Sequence, residues 1–181
     1  MDITLEVGEY MLNVRAAVII IHNNKVLVHK NVNKTHYALP GGRVAIGDDS
    51  KETVKREIKE ELNKDIEVEG YAATVENFFK IENKKYHEIL FIHRGEFVED
   101  EDKKIEYILH NQEGKDYLQY EWIDLDKLKE YNIVPTCVKN ILLSREYPIH
   151  IINKEKNRKW AKTWQTIHKI NNIFHTILEF V

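Results

Sequence analysis

The chain has 181 residues, of which 43% are hydrophobic and 31% are charged, and its formal net charge at pH 7 is −3. This predicts a globular domain with a buried core and a tail or extra helix, and the small net charge gives no overall attraction to nucleic acid or anionic membranes. Residues 1–9 carry acids and no apolar segment, and no uncharged apolar run approaches the roughly 18 residues that span a bilayer, so we expect no signal peptide and no membrane partner.

The N-terminal third predicts strands followed by one helix. The apolar segments 13–22 and 25–29 are rich in β-branched residues and flank an Asn-Asn turn, which indicates a β-hairpin. Residues 37–39 are predicted to form a short strand that ends in Pro-Gly-Gly. Between Ser50 and Leu62 the apolar residues recur every four positions, as in a helix, with Asp49 or Ser50 as its N-cap.

The following segments predict more strands and then short helices. Two long strands are expected at residues 66–80 and 85–97, an exposed acidic loop at 99–104, and a further strand at 117–124. Short helices are expected at 126–131 and 136–143. This order predicts an α+β (mixed α/β) fold.

The single cysteine, Cys137, excludes an internal disulfide and is typical of a reducing compartment, so we expect a cytoplasmic protein. In its predicted helix a buried small hydrophobe is favoured over a reactive thiol. No group of Cys and His residues has the spacing of zinc ligands.

The sequence changes character after Tyr147, which predicts a domain of residues 1–147 and an extension of residues 148–181. The extension is basic between Lys154 and Lys162 and then carries an apolar stripe at helical spacing from Trp160 to Val181. This amphipathic helix is expected to pack on its own domain or on a second copy, which makes a homodimer one expected arrangement. The alternative is a docking surface for another protein or a membrane face.

Three carboxylates share one face of the predicted central helix, because Glu57, Glu60 and Glu61 stand at positions i, i+3 and i+4. Their mutual repulsion would be relieved by a hard divalent cation such as Mg²⁺, which takes oxygen ligands. The alternative to a metal site is an ordinary charged helix face in contact with solvent, and the helix sequence alone favours this alternative. The preceding Leu-Pro-Gly-Gly loop reverses the preference, since glycine lets main-chain carbonyls approach a ligand closely.

The segment from Gly42 to Lys64 resembles the signature of the Nudix hydrolase (MutT-like) family. That signature is Gly, five residues, Glu, seven residues, Arg-Glu, a hydrophobe, any residue, Glu-Glu, any residue, Gly and a hydrophobe. The positions that match are Gly42, Arg56, Glu57, Ile58, Glu60 and Glu61. Three positions depart from it: Asp48 replaces glutamate, Asn63 replaces glycine and Lys64 replaces the last hydrophobe.

The resemblance implies an α/β/α sandwich with a mixed β-sheet and, in this chain, an extra C-terminal helix. It implies an enzyme that hydrolyses the pyrophosphate of a nucleoside diphosphate linked to another moiety, with Mg²⁺ as cofactor and Mn²⁺ as an option. The metal ligands it implies are Glu57, Glu60, Glu61 and the Gly41 carbonyl. Arg56 would orient a carboxylate of this group, and Asp48 could still pair with Arg56.

The general base and the substrate contacts are less defined. Besides Glu57 and Glu60, the mid-strand acids Glu88 and Glu76 are candidates for the base, although either could simply face solvent. Candidate substrate contacts are Gly41, Gly42, Arg43 and the aromatic residues Tyr37, Phe78, Phe79 and Tyr86, of which the aromatic ones are more often core. A Nudix fold retained as a nucleotide-binding or regulatory module is the alternative function, and nucleic-acid binding has little support.

Overall fold

The computed structural model describes residues 1–104, 107–111, 117–154 and 167–168. Over these residues the chain forms two α-helices, α1 (Ser50–Leu62) and α2 (Val138–Ser144), with 3-10 helices at Asp100–Lys104 and Leu125–Glu130. The strands in chain order are β1 (Thr4–Val7), β2 (Tyr10–His22), β3 (Lys25–Asn31), β4 (Gly41–Arg43), β5 (Ile66–Ile81), β6 (Lys84–Phe97), β7 (Tyr107–Asn111), β8 (Tyr117–Asp124), β9 (Ile149–Lys154) and β10 (Ile167–His168).

The strands form one mixed sheet in the order β10-β9-β5-β6-β2-β3-β8-β7, with β1 and β4 also paired to β2. The pairs β2–β6 and β5–β9 are parallel and the others are antiparallel. Strands β2 and β3 pair only beside their turn, at Ile21–Val26 and His22–Lys25. They then diverge, because β2 pairs with β4 from Arg15 to Ala17 instead. The divergence opens a space between β2 and the β3–β8 pair.

A hydrophobic cluster covers each face of the sheet, because alternate residues of β2 point to opposite sides. Ala17 and Ile19 pack in the cluster that contains Val138, Ile141 and Leu142 of α2. Ala16, Val18 and Ile20 pack in the other cluster, with Val54, Ile58 and Leu62 of α1. Fully burying one such aliphatic side chain stabilises the fold by about 1.5–3 kcal/mol. The predicted α+β fold with an α/β/α arrangement and a mixed sheet is confirmed.

Most predicted elements are confirmed, including the hairpin, the central helix, the two long strands and the strand Tyr117–Asp124. The predicted strand at residues 37–39 is wrong: Tyr37 and Ala38 make only isolated bridges, and the strand is Gly41–Arg43. The expected exposed loop at 99–104 is also wrong, because most of it forms a 3-10 helix in which Asp102 is buried and pairs with Lys64 at 2.6 Å. The helix expected at 126–131 is a 3-10 helix.

The start of the predicted C-terminal helical extension is a strand. Residues 149–154 form β9, parallel to β5, and Ile167–His168 pair antiparallel with β9. The rest of that predicted helix lies outside the described residues, and the domain boundary at Tyr147 stays a prediction. Within the described part of the chain, no helix has the length and apolar character needed to cross a membrane.

Candidate active site

Helix α1 is fixed at both ends and along one face. The Asp49 carboxylate accepts hydrogen bonds from the backbone N–H groups of Lys51 and Glu52, at 2.7 and 2.9 Å, so it caps the N-terminus. Asn63 ends the helix in the left-handed conformation with φ of 54°, which asparagine tolerates, as predicted. The apolar face of α1 is buried on the sheet. This orientation turns Glu57 and Glu61 towards the space beside β2.

The two glycines of the Leu-Pro-Gly-Gly loop have different roles. Gly41 has φ of 145°, and a Cβ there would overlap the carbonyl oxygen of Ala16, so the close approach of β4 to β2 requires glycine. A Cβ at Gly42 would instead overlap the carboxylate of Glu57. Gly41 therefore permits the strand pairing, and the absence of a side chain at Gly42 provides the space that the Glu57 carboxylate occupies.

Arg56 links the acids of α1 to the loop before it. Its Nη1 lies 2.9 Å from Glu57 Oε1 and donates to Glu60 Oε2 at 3.1 Å, and its Nη2 donates to the carbonyl oxygen of Arg43 at 3.2 Å. Its Nε lies 3.7 Å from Asp48 Oδ2, which confirms that the shorter acid still reaches the arginine. Arg56 thus holds Glu57 and Glu60 in place, as expected of a residue that orients carboxylates.

A cleft of about 460 Å³ lies beside these residues. It is lined by Asp2, Asn13, Arg15, His29, Gly41, Gly42, Arg43, Glu57, Glu61 and Leu118. Five of these residues were predicted as site residues from the sequence: Gly41, Gly42, Arg43, Glu57 and Glu61. The other five were missed, although Arg15 gave a signal as a charged residue inside an apolar strand. Glu60, also predicted, is not among the lining residues, and its side chain is 58% exposed.

Glu61 accepts a hydrogen bond from the buried Tyr120, which in turn contacts the buried His29. The hydroxyl of Tyr120 donates to Glu61 Oε2, and Nδ1 of His29 lies 3.2 Å from the same hydroxyl. Burial raises the pKa of Glu61 to about 7, against a partly offsetting effect of the Tyr120 hydrogen bond. Burial also raises the pKa of Glu57, although the adjacent Arg56 opposes this. Two desolvated carboxylates therefore border one cleft, where a bound cation would stabilise them.

Two further polar groups in the cleft wall have no hydrogen-bond partner among the described residues. They are the buried side-chain oxygen of Asn13 and the buried Nε of Arg15. The Nη2 of Arg15 is 3.5 Å from the Gly41 carbonyl oxygen. Buried polar atoms without partners are costly, and these two make this wall of the cleft polar. Arg15 offers a charged donor and Asn13 an acceptor beside the two acids.

The carboxylates fit a divalent cation of the magnesium type. Over the described residues, no three His, Cys, Asp or Glu side chains are already grouped as a complete set of metal ligands. The three predicted glutamates are therefore not brought together as one set: Arg56 pairs with Glu57 and Glu60, while Tyr120 binds Glu61. Mg²⁺ is nevertheless held by one or two carboxylates plus phosphate oxygens rather than by a closed protein cage. Glu57 and Glu61 supply such a pair.

The remaining predicted residues lie away from the lining of this cleft. Glu88 is 5% exposed and accepts a hydrogen bond from Asn77 at 3.1 Å, so the alternative of a solvent-facing Glu88 is wrong. It lines a separate cavity of about 30 Å³ that Arg15 also borders. Glu76 lies 2.8 Å from His150 Nε2.

The aromatic candidates contact other side chains. Tyr37 accepts a hydrogen bond from Lys30 at 3.1 Å and makes an edge contact with Tyr131. Phe79 stacks on Tyr86 with ring centroids 4.9 Å apart. The structure does not bring Tyr37 or Phe79 to the wall of the carboxylate cleft, so their contact with a substrate stays a prediction.

Comparison with known proteins identifies the family. The NUDIX domain family model matches residues 11–142 of the chain, and the chain therefore belongs to the Nudix hydrolase family. The predicted resemblance is confirmed. No curated protein sequence matches the chain.

Solved structures similar to this fold have low sequence identity to it. The mutator MutT protein from Bacillus halodurans is 19% identical with a TM-score of 0.55, and the match covers 86% of this chain and 97% of that one. An ADP-ribose pyrophosphatase from Streptococcus suis is 17% identical with a TM-score of 0.51, covering 79% and 98%. A UDP-X diphosphatase is 20% identical with a TM-score of 0.53, covering 74% of this chain and 61% of that chain. At these identities the likeness is one of fold.

Proposed function

We propose that the chain is a divalent-metal-dependent hydrolase that cleaves the pyrophosphate of a nucleoside diphosphate linked to another moiety, by water attack on phosphorus. The observation that carries the proposal is that Glu57 and Glu61 border one cleft with Gly41, Arg15 and Arg43. Desolvated carboxylates beside cationic side chains suit a cation together with a phosphate ligand. The names of two fold neighbours, a UDP-X diphosphatase and an ADP-ribose pyrophosphatase, fall in the same substrate class and support it by analogy.

Glu57, Glu61 and the Gly41 carbonyl would hold the metal, whereas Glu60 does not line the cleft and its side chain is 58% exposed. When bound, Mg²⁺ or Mn²⁺ neutralises phosphate charge and lowers the pKa of a bound water. Arg56 keeps Glu57 and Glu60 oriented through contacts at 2.9 and 3.1 Å.

Cationic side chains and the acids of α1 would act on the substrate itself. Arg15 and Arg43 line the cleft and would bind phosphate oxygens, because a guanidinium donates two parallel hydrogen bonds. Glu57 is the better placed of the general-base candidates, since it borders the cleft whereas Glu88 borders a separate cavity. The proposal therefore assigns the base to the acids of α1.

Hydrolysis of a substrate panel tests the proposal directly. Purified protein with Mg²⁺ would be assayed against nucleoside triphosphates, dinucleotides, ADP-ribose and nucleotide sugars, with release of mononucleotide or phosphate as the readout. We expect turnover of at least one class, and Glu61→Gln to lower it by about 10²-fold or more because it removes a metal ligand. Absence of turnover across the panel at any Mg²⁺ concentration would refute the proposal.

The alternative is a nucleotide-binding or regulatory module, and one observation favours it. Arg56 already pairs with Glu57 and Glu60, so part of the acidic charge is neutralised without a metal. Titration with Mn²⁺ separates the two functions. Binding at millimolar concentration or below that is weakened by Glu61→Gln supports the hydrolase, and nucleotide binding without metal binding supports the module.

The cellular setting is also a proposal. The buried single cysteine, Cys137, supports a reducing, cytoplasmic environment. The net charge of −3 supports a small-molecule substrate rather than nucleic acid or a membrane surface. A homodimer through the C-terminal apolar stripe stays a prediction, because that stripe lies outside the described residues except for Ile167.

A further inference from the structure

Tyr120 and His29 form a buried pair behind Glu61. The two residues face each other across the antiparallel β3–β8 ladder, and their ring centroids are 5.1 Å apart. Tyr120 is 1% exposed and His29 is 7% exposed. Tyr120 lies 59 positions after Glu61 in the chain, yet its hydroxyl contacts the Glu61 carboxylate directly. The pair therefore joins the β3–β8 side of the cleft to helix α1 at one carboxylate oxygen.

The hydrogen bonds of this pair run in one direction. A tyrosine hydroxyl has one proton and two acceptor positions. The Tyr120 hydroxyl donates its hydrogen bond to Glu61 Oε2, because a carboxylate oxygen is an acceptor. Burial and the nearby Arg15 lower the pKa of His29 to about 3, so its ring is neutral and carries one N–H. The single hydroxyl proton of Tyr120 is used in the hydrogen bond to Glu61. In the 3.2 Å contact with His29 the Tyr120 oxygen therefore accepts, and His29 Nδ1–H donates.

We propose that Tyr120, itself oriented by His29, is a positioning residue that fixes the Glu61 carboxylate for binding a divalent cation. The hydroxyl hydrogen-bonds one oxygen of the carboxylate that would hold the cation, and the His29 contact keeps the hydroxyl directed at Glu61. The inference rests on the proposed metal-dependent function. A positioning role differs from simple satisfaction of buried polar atoms, because only positioning makes the metal affinity depend on the hydroxyl.

The first experiment compares Tyr120→Phe with the matched variant Tyr71→Phe. Each removes one tyrosine hydroxyl that hydrogen-bonds a side chain, to Glu61 in the first case and to Thr74 in the second, and Tyr71 does not line the cleft. Mn²⁺ affinity is measured by electron paramagnetic resonance, without substrate. We expect Tyr120→Phe to weaken Mn²⁺ binding about 10- to 100-fold, the usual effect of losing a group that orients a metal ligand, and Tyr71→Phe to leave it unchanged.

The second experiment tests whether His29 is the donor in its hydrogen bond to Tyr120. In His29→Asn the side-chain amide places an N–H near the position of Nδ1, whereas His29→Leu has no donor. We expect His29→Asn to retain most of the Mn²⁺ affinity and His29→Leu to weaken it as Tyr120→Phe does. Raising the Mg²⁺ concentration should restore most of the turnover lost in His29→Leu, which damage to the fold would not allow.

The outcomes separate this inference from the proposed function. If Glu61→Gln binds Mn²⁺ as tightly as the wild type, the metal assignment of Glu61 is wrong and the inference fails with it. If Glu61→Gln weakens binding and Tyr120→Phe does not, only the positioning role is overturned. If Tyr120→Phe does not fold, the two His29 variants provide the test. In that case, equal Mn²⁺ affinity of His29→Leu and the wild type overturns the inference.

Discussion

Glu61 should contribute a loss of stability to the metal-free protein as pH rises. Burial raises the pKa of this carboxyl from an ordinary value of 4.5 to about 7. Between these values the Glu61 carboxyl holds more protons in the folded protein than in the unfolded chain, so its contribution to the free energy of unfolding decreases as pH rises. Each pKa unit corresponds to about 1.4 kcal/mol, so the loss contributed by Glu61 above pH 7 is about 3 kcal/mol.

The perturbation that isolates this contribution is Glu61→Gln, which keeps the size of the side chain and an oxygen that can accept from Tyr120. Urea unfolding with a chelator present would be measured at about pH 4.5 and about pH 8 for both proteins. We expect the wild type to lose about 3 kcal/mol more than the variant between these values, and Mg²⁺ to restore much of that loss at the higher pH. Glu52→Gln is the control, since Glu52 lies on the same helix with its side chain 65% exposed.

Parallel loss of stability in the wild type and Glu61→Gln would refute the reasoning, because it would mean that ionising Glu61 in the folded protein has no cost. An equal gain from Mg²⁺ in both proteins would also contradict it. A flattening of the pH dependence in Glu52→Gln equal to that in Glu61→Gln would show that the charge of the whole helix, and not burial of one carboxyl, controls the profile.

Two other predictions concern the supports of the site. Gly41→Ala should destabilise the fold by about 3 kcal/mol or more in urea unfolding, since its Cβ meets the backbone of Ala16. At Gly42 the atoms nearest to an added Cβ belong to the movable carboxylate of Glu57, so Gly42→Ala should chiefly weaken Mn²⁺ binding. Asp49→Ala should lower the free energy of unfolding by about 1 kcal/mol through loss of the N-cap, and Asp49→Ser should recover most of it.

The parts of the site that lie on one helix and the loop before it could be predicted from the sequence. The spacing of Val54, Ile58 and Leu62 fixes which side of α1 is buried, and that places Glu57 and Glu61 on a different side. Helical periodicity acts within a few residues, so a local pattern is sufficient. The same locality explains why the contacts of Arg56 with Asp48 and Glu57 could be anticipated.

The opposite wall of the cleft could not be predicted in this way. The sequence places Arg15 and His29 on the two strands of a hairpin, and full hairpin pairing would leave no cleft between them. They face an open space because β2 pairs with β4 over Arg15–Ala17 and with β3 only at Ile21 and His22. The pairing with β4 depends on Gly41 lying against Ala16, a contact between residues 25 positions apart that no local pattern encodes. The glycine loop thus has two effects. It places a main-chain carbonyl in the same cleft as the acids, and by pairing with β2 it separates β2 from β3, which leaves room for Tyr120 to contact Glu61.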